Sequence, residues 1–114
     1  MPVIKIYCLP KSTEAGLKML HGKIVEAVVS IEELGLKDEK DMTVLFVPDM
    51  MQYGLGSEII IEVMLFEKPE RTQQILQKLA KNVGRCAKAS LPSAKVECFV
   101  TTFNPKIQGY WDAN

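Results

Sequence analysis

Apolar residues recur with two different periods along this chain, and the switches between them predict its elements. Apolar residues at spacings of three and four predict a helix over about residues 14–34. A second run with helical spacing predicts a helix that begins at Pro69 and ends at Leu91-Pro92. Short runs rich in β-branched residues predict four strands, at about residues 2–9, 42–47, 59–66 and 96–103. The order is β-α-β followed by β-α-β.

This order predicts an α+β fold in a single domain that spans residues 1–114. The two β-α-β units form one four-stranded mixed sheet, and two helices can cover only one of its faces. The third strand has scarcely a polar side chain, which is typical of a strand covered on both faces. We therefore expect other copies of the chain to cover the second face. This prediction of an oligomer follows from the need to bury the apolar third strand, and no sequence motif contributes to it.

Composition and charge then exclude several classes of function. The chain is 47% hydrophobic and carries 14 basic and 14 acidic residues, so its formal net charge is zero. Because binding to phosphates needs a basic surface, we expect no nucleic-acid partner. No apolar run approaches the roughly 20 residues of a membrane span, so we expect no membrane partner and a cytoplasmic location.

The three cysteines, Cys8, Cys86 and Cys98, include no C-x-x-C pair. In a reducing compartment they are expected to be small buried hydrophobes, and we predict no metal site and no cofactor. His21 follows Leu20 on the predicted first helix without a Ser, Cys or acid partner in register, so we expect it to be exposed.

Proline at position 2 is the first candidate for chemistry. If Met1 is removed, as is usual before a small residue, Pro2 becomes a free secondary amine at the start of the first strand. Apolar surroundings would disfavour the charged amine and lower its pKa towards neutrality. A neutral amine held in place can abstract a proton from carbon as a general base. An ordinary second residue with no catalytic role is the alternative.

Several short motifs accompany this proline: Met1-Pro2-Val3, Val47-Pro48-Asp49, Tyr53-Gly54, Gly56-Ser57-Glu58 and Gly109-Tyr110-Trp111. Together with the element order, they resemble the tautomerase superfamily, and within it the MIF-like branch. Residues 62–78 and 110–112 also look like an uncharacterised family of small bacterial MIF-like proteins. The resemblance implies a homotrimer whose three sheets enclose a barrel, with Pro2 as the catalytic base and a small-molecule carbonyl compound as substrate.

The resemblance also suggests where the substrate is held. Lys37 falls at the spacing before Val47-Pro48-Asp49 where MIF-like proteins carry an active-site lysine. Lys37 fits a solvated position in the charged run 37–41 at least as well. Lys68 is a candidate for a second positive charge, or a surface residue before the second helix. The candidates for an apolar pocket wall, each equally compatible with core or subunit contact, are Tyr53, Phe99, Tyr110 and Trp111.

The sequence departs from the family pattern in three places. Glu97 and Phe99 stand on the fourth strand where MIF-like proteins place a tyrosine and an asparagine, and the run 59–61 replaces a cysteine pair. Arg71 and Arg85 both fall on the predicted second helix. We therefore expect a lysine, and no arginine, to hold any substrate carboxylate.

Three functions remain open from the sequence. The first is a trimeric tautomerase or isomerase that uses Pro2 on an enolisable 2-oxo acid. The second is a MIF-like oligomer that binds a ligand without turnover. The third is a ferredoxin-like β-α-β-β-α-β domain that binds a small regulator, which the long connection at residues 48–57 and the match at Pro2 disfavour.

Overall fold

A computed structural model describes residues 2–10 and 12–113 of the chain. Met1, whose removal the sequence analysis considers, lies outside the described residues. Two helices and four strands form the fold, in the predicted order. Their bounds are β1 Val3–Tyr7, α1 Glu14–Val29, β2 Thr43–Val47, β3 Glu58–Phe66, α2 Gln73–Ser90 and β4 Lys95–Phe103.

The four strands form one mixed sheet in the order β2-β1-β3-β4. β1 is parallel to β2, and β3 is parallel to β4, whereas β1 and β3 are antiparallel. Each β-α-β unit therefore joins two neighbouring strands. A ferredoxin-like domain splits its β-α-β units, so the ferredoxin-like hypothesis is wrong. The predicted α+β fold with a four-stranded mixed sheet and two helices is confirmed.

Both helices pack on the same face of the sheet and against each other. Alternate residues of each central strand point to this face, because successive side chains of a strand point to opposite faces. The core residues that are fully buried come from both layers: Ile4, Ile6, Ile24, Val28, Ile31, Ile59, Ile61, Val63, Leu65, Leu79 and Val83.

The opposite face of the sheet, here called the open face, has no helix over it. β3 alternates between buried and more exposed residues, so within one chain this strand is covered on one face only. Lys5 and Glu62 are cross-strand partners on this face, and a hydrogen bond with Glu62 raises the pKa of Tyr7. Three large apolar side chains on it are about half exposed: Leu45, Met64 and Phe99.

The first helix is shorter than predicted. α1 begins after Thr13, whose side chain accepts a hydrogen bond from the Gly16 amide as expected for an N-cap. It ends at Val29, and the chain continues from extended Ile31 into a 3₁₀ turn at Glu32–Leu34. Gly35, with φ of 70°, caps this turn. The apolar spacing continued past Val29 because Ile31 and Leu34 also reach the core.

The second helix begins later than predicted. Pro69 is not its first residue; α2 starts at Gln73, and the Thr72 side chain caps it by accepting a hydrogen bond from the Ile75 amide. Residues 68–71 form a turn in which the Arg71 amide donates to the Lys68 carbonyl. Arg71 therefore lies outside the helix, contrary to the sequence prediction, and its side chain is free to enter the site described below.

Two smaller expectations also change. Cys8, Cys86 and Cys98 are free thiols that are half-buried, less enclosed than predicted. His21 is half-buried and not exposed. Within the part of the chain that the structure describes, neither helix has the length and apolar character needed to cross a membrane.

The core predicts a clear difference between matched truncations. Ile61 is completely buried at the centre of β3, so Ile61→Ala should lower the free energy of unfolding by about 2–5 kcal/mol. Met19 is 64% exposed on α1, and Met19→Ala should change it by less than about 0.5 kcal/mol. Urea denaturation at one protein concentration measures both values. Equal losses would show that the two helices do not cover this face as described.

Candidate active site

A cavity of about 280 Å³ opens beside Pro2 at one end of the sheet. Its volume is near the lower end of the roughly 300–1,000 Å³ that is common for ligand pockets, which suits a small molecule. Three stretches of chain meet there: the start of β1, the connection from α1 to β2, and the turn between β3 and α2. The lining residues are Pro2, Leu34, Gly35, Leu36, Lys40, Asp41, Phe66, Lys68 and Arg71.

Pro2 is buried, and its backbone is fixed by the sheet. The Thr43 amide donates a hydrogen bond of 2.9 Å to the Pro2 carbonyl, which extends the β1–β2 ladder by one step. Phe66 and Leu34 give this end of the cavity an apolar wall. A group at the start of β1 is therefore held in a defined position against partly dehydrated surroundings.

Arg71 is the charged group that the fold buries in this cavity, with only 8% of its surface exposed. Its Nη1 donates to the Phe66 carbonyl at 2.7 Å, and its Nη2 donates to the Leu34 carbonyl at 3.2 Å. Its buried Nε has no hydrogen-bond partner among the described residues. Arg71 thus ties two cavity walls together and retains unused donors, since a guanidinium carries five N–H groups.

Burial lowers the pKa of Arg71, and the neighbouring Glu70 carboxylate opposes that effect. An arginine nevertheless stays cationic in a protein. Lys40 and Lys68 add two further cations to the lining, against a single carboxylate, Asp41. The Lys37 amide donates to Asp41 Oδ2 at 2.7 Å. The lining therefore has an excess of positive charge and favours an anionic ligand.

The two lysines named from the sequence lie in different places. Lys68 lines the Pro2 cavity and also a shallower depression beside Pro69 and Lys106. Lys37 is exposed and is not among the cavity-lining residues of this chain. The structure therefore brings Pro2 and Lys68 together, and Lys37 only approaches the site through its backbone bond to Asp41.

Tyr110 packs behind the cavity wall. Its ring meets Phe66 edge-on with 5.2 Å between centroids, and Phe103 lies 6.2 Å from Phe66. The Tyr110 hydroxyl donates to Asp112 Oδ2 at 2.9 Å, and this hydrogen bond raises the pKa of Tyr110. These contacts hold the C-terminal tail at the Pro2 end of the sheet. Trp111, the next residue, is 82% exposed.

Tyr53 and Phe99 are distant from the cavity within one chain. Because β1 and β2 are parallel, the connection that follows Val47 lies at the far end of the sheet from Pro2. The five residues of β1 separate the two ends by about 16 Å, so Tyr53 can approach only the Pro2 of another copy. Phe99 lies on the open face, beside Lys5 and Glu62 in a separate depression.

The connection at residues 48–57 has its own hydrogen bonds. Asp49 accepts from the Gly54 amide at 2.8 Å, and Glu58 accepts from the Leu55 amide at 2.7 Å. A Cβ on Gly54 would lie 2.5 Å from Glu58 Oε1, so a larger residue there would displace the Glu58 carboxylate. Gly56 has φ of 82°, the left-handed region that glycine favours. This loop presents Tyr53 and Leu55 to solvent in one chain.

Among the described residues, no three histidine, cysteine or carboxylate side chains form a group that could hold a metal ion.

Solved structures with this fold belong to the tautomerase superfamily, as the sequence resemblance suggested. The F6 fused 4-OT wild-type asymmetric trimer is similar over 95% of this chain and 91% of that chain, with 14% identity and a TM-score of 0.77. Macrophage migration inhibitory factor from Toxoplasma gondii is similar over 97% of both chains, with 18% identity and a TM-score of 0.67.

An FG41 malonate semialdehyde decarboxylase inhibited by 3-bromopropiolate is similar over 98% of this chain and 91% of that chain, with 16% identity and a TM-score of 0.68. At these identities the comparison shows the shared fold. No protein-family model and no curated protein matches the sequence.

Arg71 and Lys40 line the cavity but were not among the site residues predicted from the sequence. The expectation that only lysine is available to a carboxylate depended on a helix starting at Pro69, which placed Arg71 on that helix. Thr72 is the local signal for the observed helix start, because threonine is a preferred N-cap and the helix begins at the next residue, Gln73. The buried position of Arg71 could not be read from local sequence, since its partner Leu34 is 37 residues away.

The bonds of Arg71 predict a cost on removing its guanidinium. Arg71→Met keeps a long apolar stem but leaves the Phe66 and Leu34 carbonyls without this donor, so the free energy of unfolding should fall by about 2 kcal/mol. Arg85 is exposed on α2, and Arg85→Met should stay within about 0.5 kcal/mol of the parent. Matched urea melts compare the two variants; an unchanged Arg71→Met protein would contradict the buried arrangement.

Proposed function

We propose that this protein is a tautomerase that uses the nitrogen of Pro2 as a general base on an enolisable 2-oxo acid. The observation that carries the proposal is the shared cavity of Pro2 and Arg71, with Lys40 and Lys68 in the same lining. One side of the cavity offers a candidate base, and the other offers cations suited to a carboxylate. The tautomerase-type fold is consistent with this chemistry.

The base requires that Met1 be removed, which turns the Pro2 nitrogen into a secondary amine. Two features favour the neutral amine: the burial of Pro2 and the three cations of the lining, since nearby positive charge disfavours a second positive charge. The neutral nitrogen accepts the proton of the enol hydroxyl. The resulting prolinium then delivers a proton to the carbon next to the one that bears the oxygen. This step gives the keto form and restores the neutral amine.

Arg71 and Lys68 take the binding roles in this proposal. The free donors of Arg71 suit a carboxylate, because a guanidinium matches carboxylate geometry and is already fixed by two backbone carbonyls. Lys68, nearer the outer depression, stabilises the negative charge that develops on the enolate oxygen. This assignment replaces the expectation that lysine alone holds the carboxylate. Lys37 remains a candidate only for the approach of substrate.

We further propose that the active form is a homotrimer. The open face carries half-exposed Leu45, Met64 and Phe99, and one chain offers nothing to cover them. The loop residue Tyr53 and the tail residue Trp111 are also largely exposed. A neighbouring copy would cover the open face and could bring Tyr53 to a second chain's Pro2 cavity. The name of the 4-OT structure records a trimer, which supports this arrangement.

Free half-buried thiols suit a reducing cytoplasm.

The trimer predicts how the chain sediments. Analytical ultracentrifugation should give three times the chain mass of 12.8 kDa. Met64→Lys places a charge on the open face and should yield monomer, because association would bury that charge. Met19→Lys, on the exposed side of α1, should leave the trimer intact. A stable parent monomer, or a trimer that both variants retain, would contradict covering of the open face.

Catalysis by Pro2 predicts a strict dependence on processing. Protein without Met1 should accelerate the enol-to-keto conversion of phenylenolpyruvate. Ultraviolet absorbance measures the rate of this conversion between pH 5 and 9. Protein that retains Met1 should lose this activity, because its Pro2 nitrogen is an amide without a basic lone pair. Pro2→Ala in processed protein leaves a primary amine and should lower kcat/KM by at least about tenfold.

The processed and unprocessed forms are matched controls, since they differ only by Met1, whose peptide bond turns the Pro2 nitrogen into an amide. Equal rates for both forms would show that Pro2 is not the base. A rate no greater than buffer for either form would favour the alternative function, a trimeric MIF-like protein that binds an anionic ligand in the same cavity without turnover.

A further inference from the structure

The solvent face of α2 carries a continuous row of cations. Lys78, Lys81, Arg85 and Lys88 are all exposed and follow one another at spacings of three, four and three. At 100° per residue they lie on one side of the helix, opposite the buried Leu79, Val83 and Ala87. The row, called the basic stripe below, spans about 15 Å, because a helix rises 1.5 Å per residue.

The basic stripe is a local excess in a protein without net charge. Six basic residues and no acidic one occur between Arg71 and Val96, although basic and acidic residues are equal in number over the whole chain. Among the described residues, no carboxylate forms an ion pair with a stripe residue; the ion pair that the structure shows joins Lys18 to Glu14 on α1. Lys88 Nζ donates to the Ala94 carbonyl at 2.6 Å. Within residues 2–10 and 12–113, the stripe cations therefore lack anionic partners.

A groove of about 440 Å³ runs beside the stripe, between α2 and β4. The stripe residues Lys81, Arg85 and Lys88 line it. The other lining residues, here called its floor, are Gln77, Ala80, Gly84, Val96 and Cys98. Gly84 belongs to this floor, and a Cβ there would make an ordinary van der Waals contact with the Cβ of Cys98 at 3.7 Å. Burial raises the pKa of Cys98 to about 11, so the Cys98 side chain contributes an uncharged thiol to this floor.

We propose that the basic stripe and this groove together dock an acidic, partly apolar segment of a partner protein. Carboxylates of the segment pair with the stripe, and its apolar side chains enter the groove over Ala80, Gly84 and Val96. Charge complementarity identifies the partner: a row of unpaired cations over roughly three helical turns matches acidic residues repeated along one segment.

The residues beside the stripe disfavour other anionic partners. Single-stranded nucleic acid is usually held by aromatic stacking as well as charge, and no aromatic residue occurs between Arg71 and Cys98. A membrane-surface helix exposes large apolar side chains beside its cations. α2 has none among the exposed large hydrophobic residues of the described chain. A protein segment needs neither feature.

The docking surface is separate from the Pro2 cavity, because no stripe residue lines that cavity. It also lies on the helical layer, away from the open face proposed for trimer contacts. The inference therefore does not depend on the proposed enzyme activity.

Fluorescence anisotropy tests the docking surface with a defined probe. The probe is a fluorescein-labelled sixteen-residue peptide of alternating Glu-Glu and Leu units, and its control carries Gln for every Glu. The full-length protein should bind the Glu peptide with an affinity that falls as salt rises, and should bind the Gln peptide at least about tenfold more weakly.

Two double variants of equal charge change locate the binding. Lys81→Gln with Arg85→Gln should raise the dissociation constant at least tenfold, and Lys18→Gln with Lys23→Gln, on α1, should leave it within twofold. Both double variants should keep the parent circular dichroism spectrum and oligomeric state.

The proposal is overturned by several outcomes. These are no binding of the Glu peptide, equal weakening by both double variants, and tighter binding of single-stranded DNA or phosphatidylserine vesicles than of the Glu peptide. Turnover of phenylenolpyruvate by the Lys81→Gln/Arg85→Gln protein, measured in parallel, separates this result from the fate of the enzyme proposal.

Discussion

Two helices can cover only one face of a four-stranded sheet, and the rest of this structure depends on that limit. The helix-facing side is filled by isoleucine, valine and leucine, which fixes the register of β1 and β3, because a slip of one residue would expose the whole set. The open face keeps half-exposed apolar side chains with Lys5 and Glu62 between them. A face that combines apolar side chains with one cation and one carboxylate suits contact with other copies of the same chain.

The same fold builds the cavity at one edge of the sheet. β1 begins there and β3 ends there, so Pro2 and the turn after Phe66 are neighbours although more than sixty residues separate them in sequence. Arg71 completes the arrangement by linking the end of β3 to the turn that follows α1. A buried arginine is stable only when its charge is well bonded, and here one buried donor remains unused.

Periodicity was sufficient to predict the element order, the mixed sheet and the single covered face, since these follow from where apolar side chains recur. Local sequence also identified Pro2 and Lys68, which meet in the cavity. Helix ends were less predictable, because Ile31 and Leu34 continue the apolar spacing beyond the end of α1. Arg71 was missed for a related reason. The second helix was predicted to start at Pro69 and starts at Gln73, so Arg71 lies in the turn before the helix and not on it. Tyr53 and Phe99 do not line this cavity within one chain, because the loop after β2 lies at the far end of the sheet and Phe99 lies on the open face. Their positions follow from strand directions and register, which the local sequence around them does not specify.

The proposed role of Pro2 requires a neutral amine among the cations of the cavity, and the ionisation of this nitrogen can be measured directly. In processed protein labelled with ¹⁵N at proline, the chemical shift of the Pro2 nitrogen is followed by NMR from pH 4 to 10. A short peptide that begins Pro-Val-Ile-Lys supplies the reference for an exposed amine. We expect a pKa for Pro2 near neutrality and well below that of the peptide, because burial and the cations of the cavity disfavour the charged amine. A pKa equal to or above that of the peptide would contradict it.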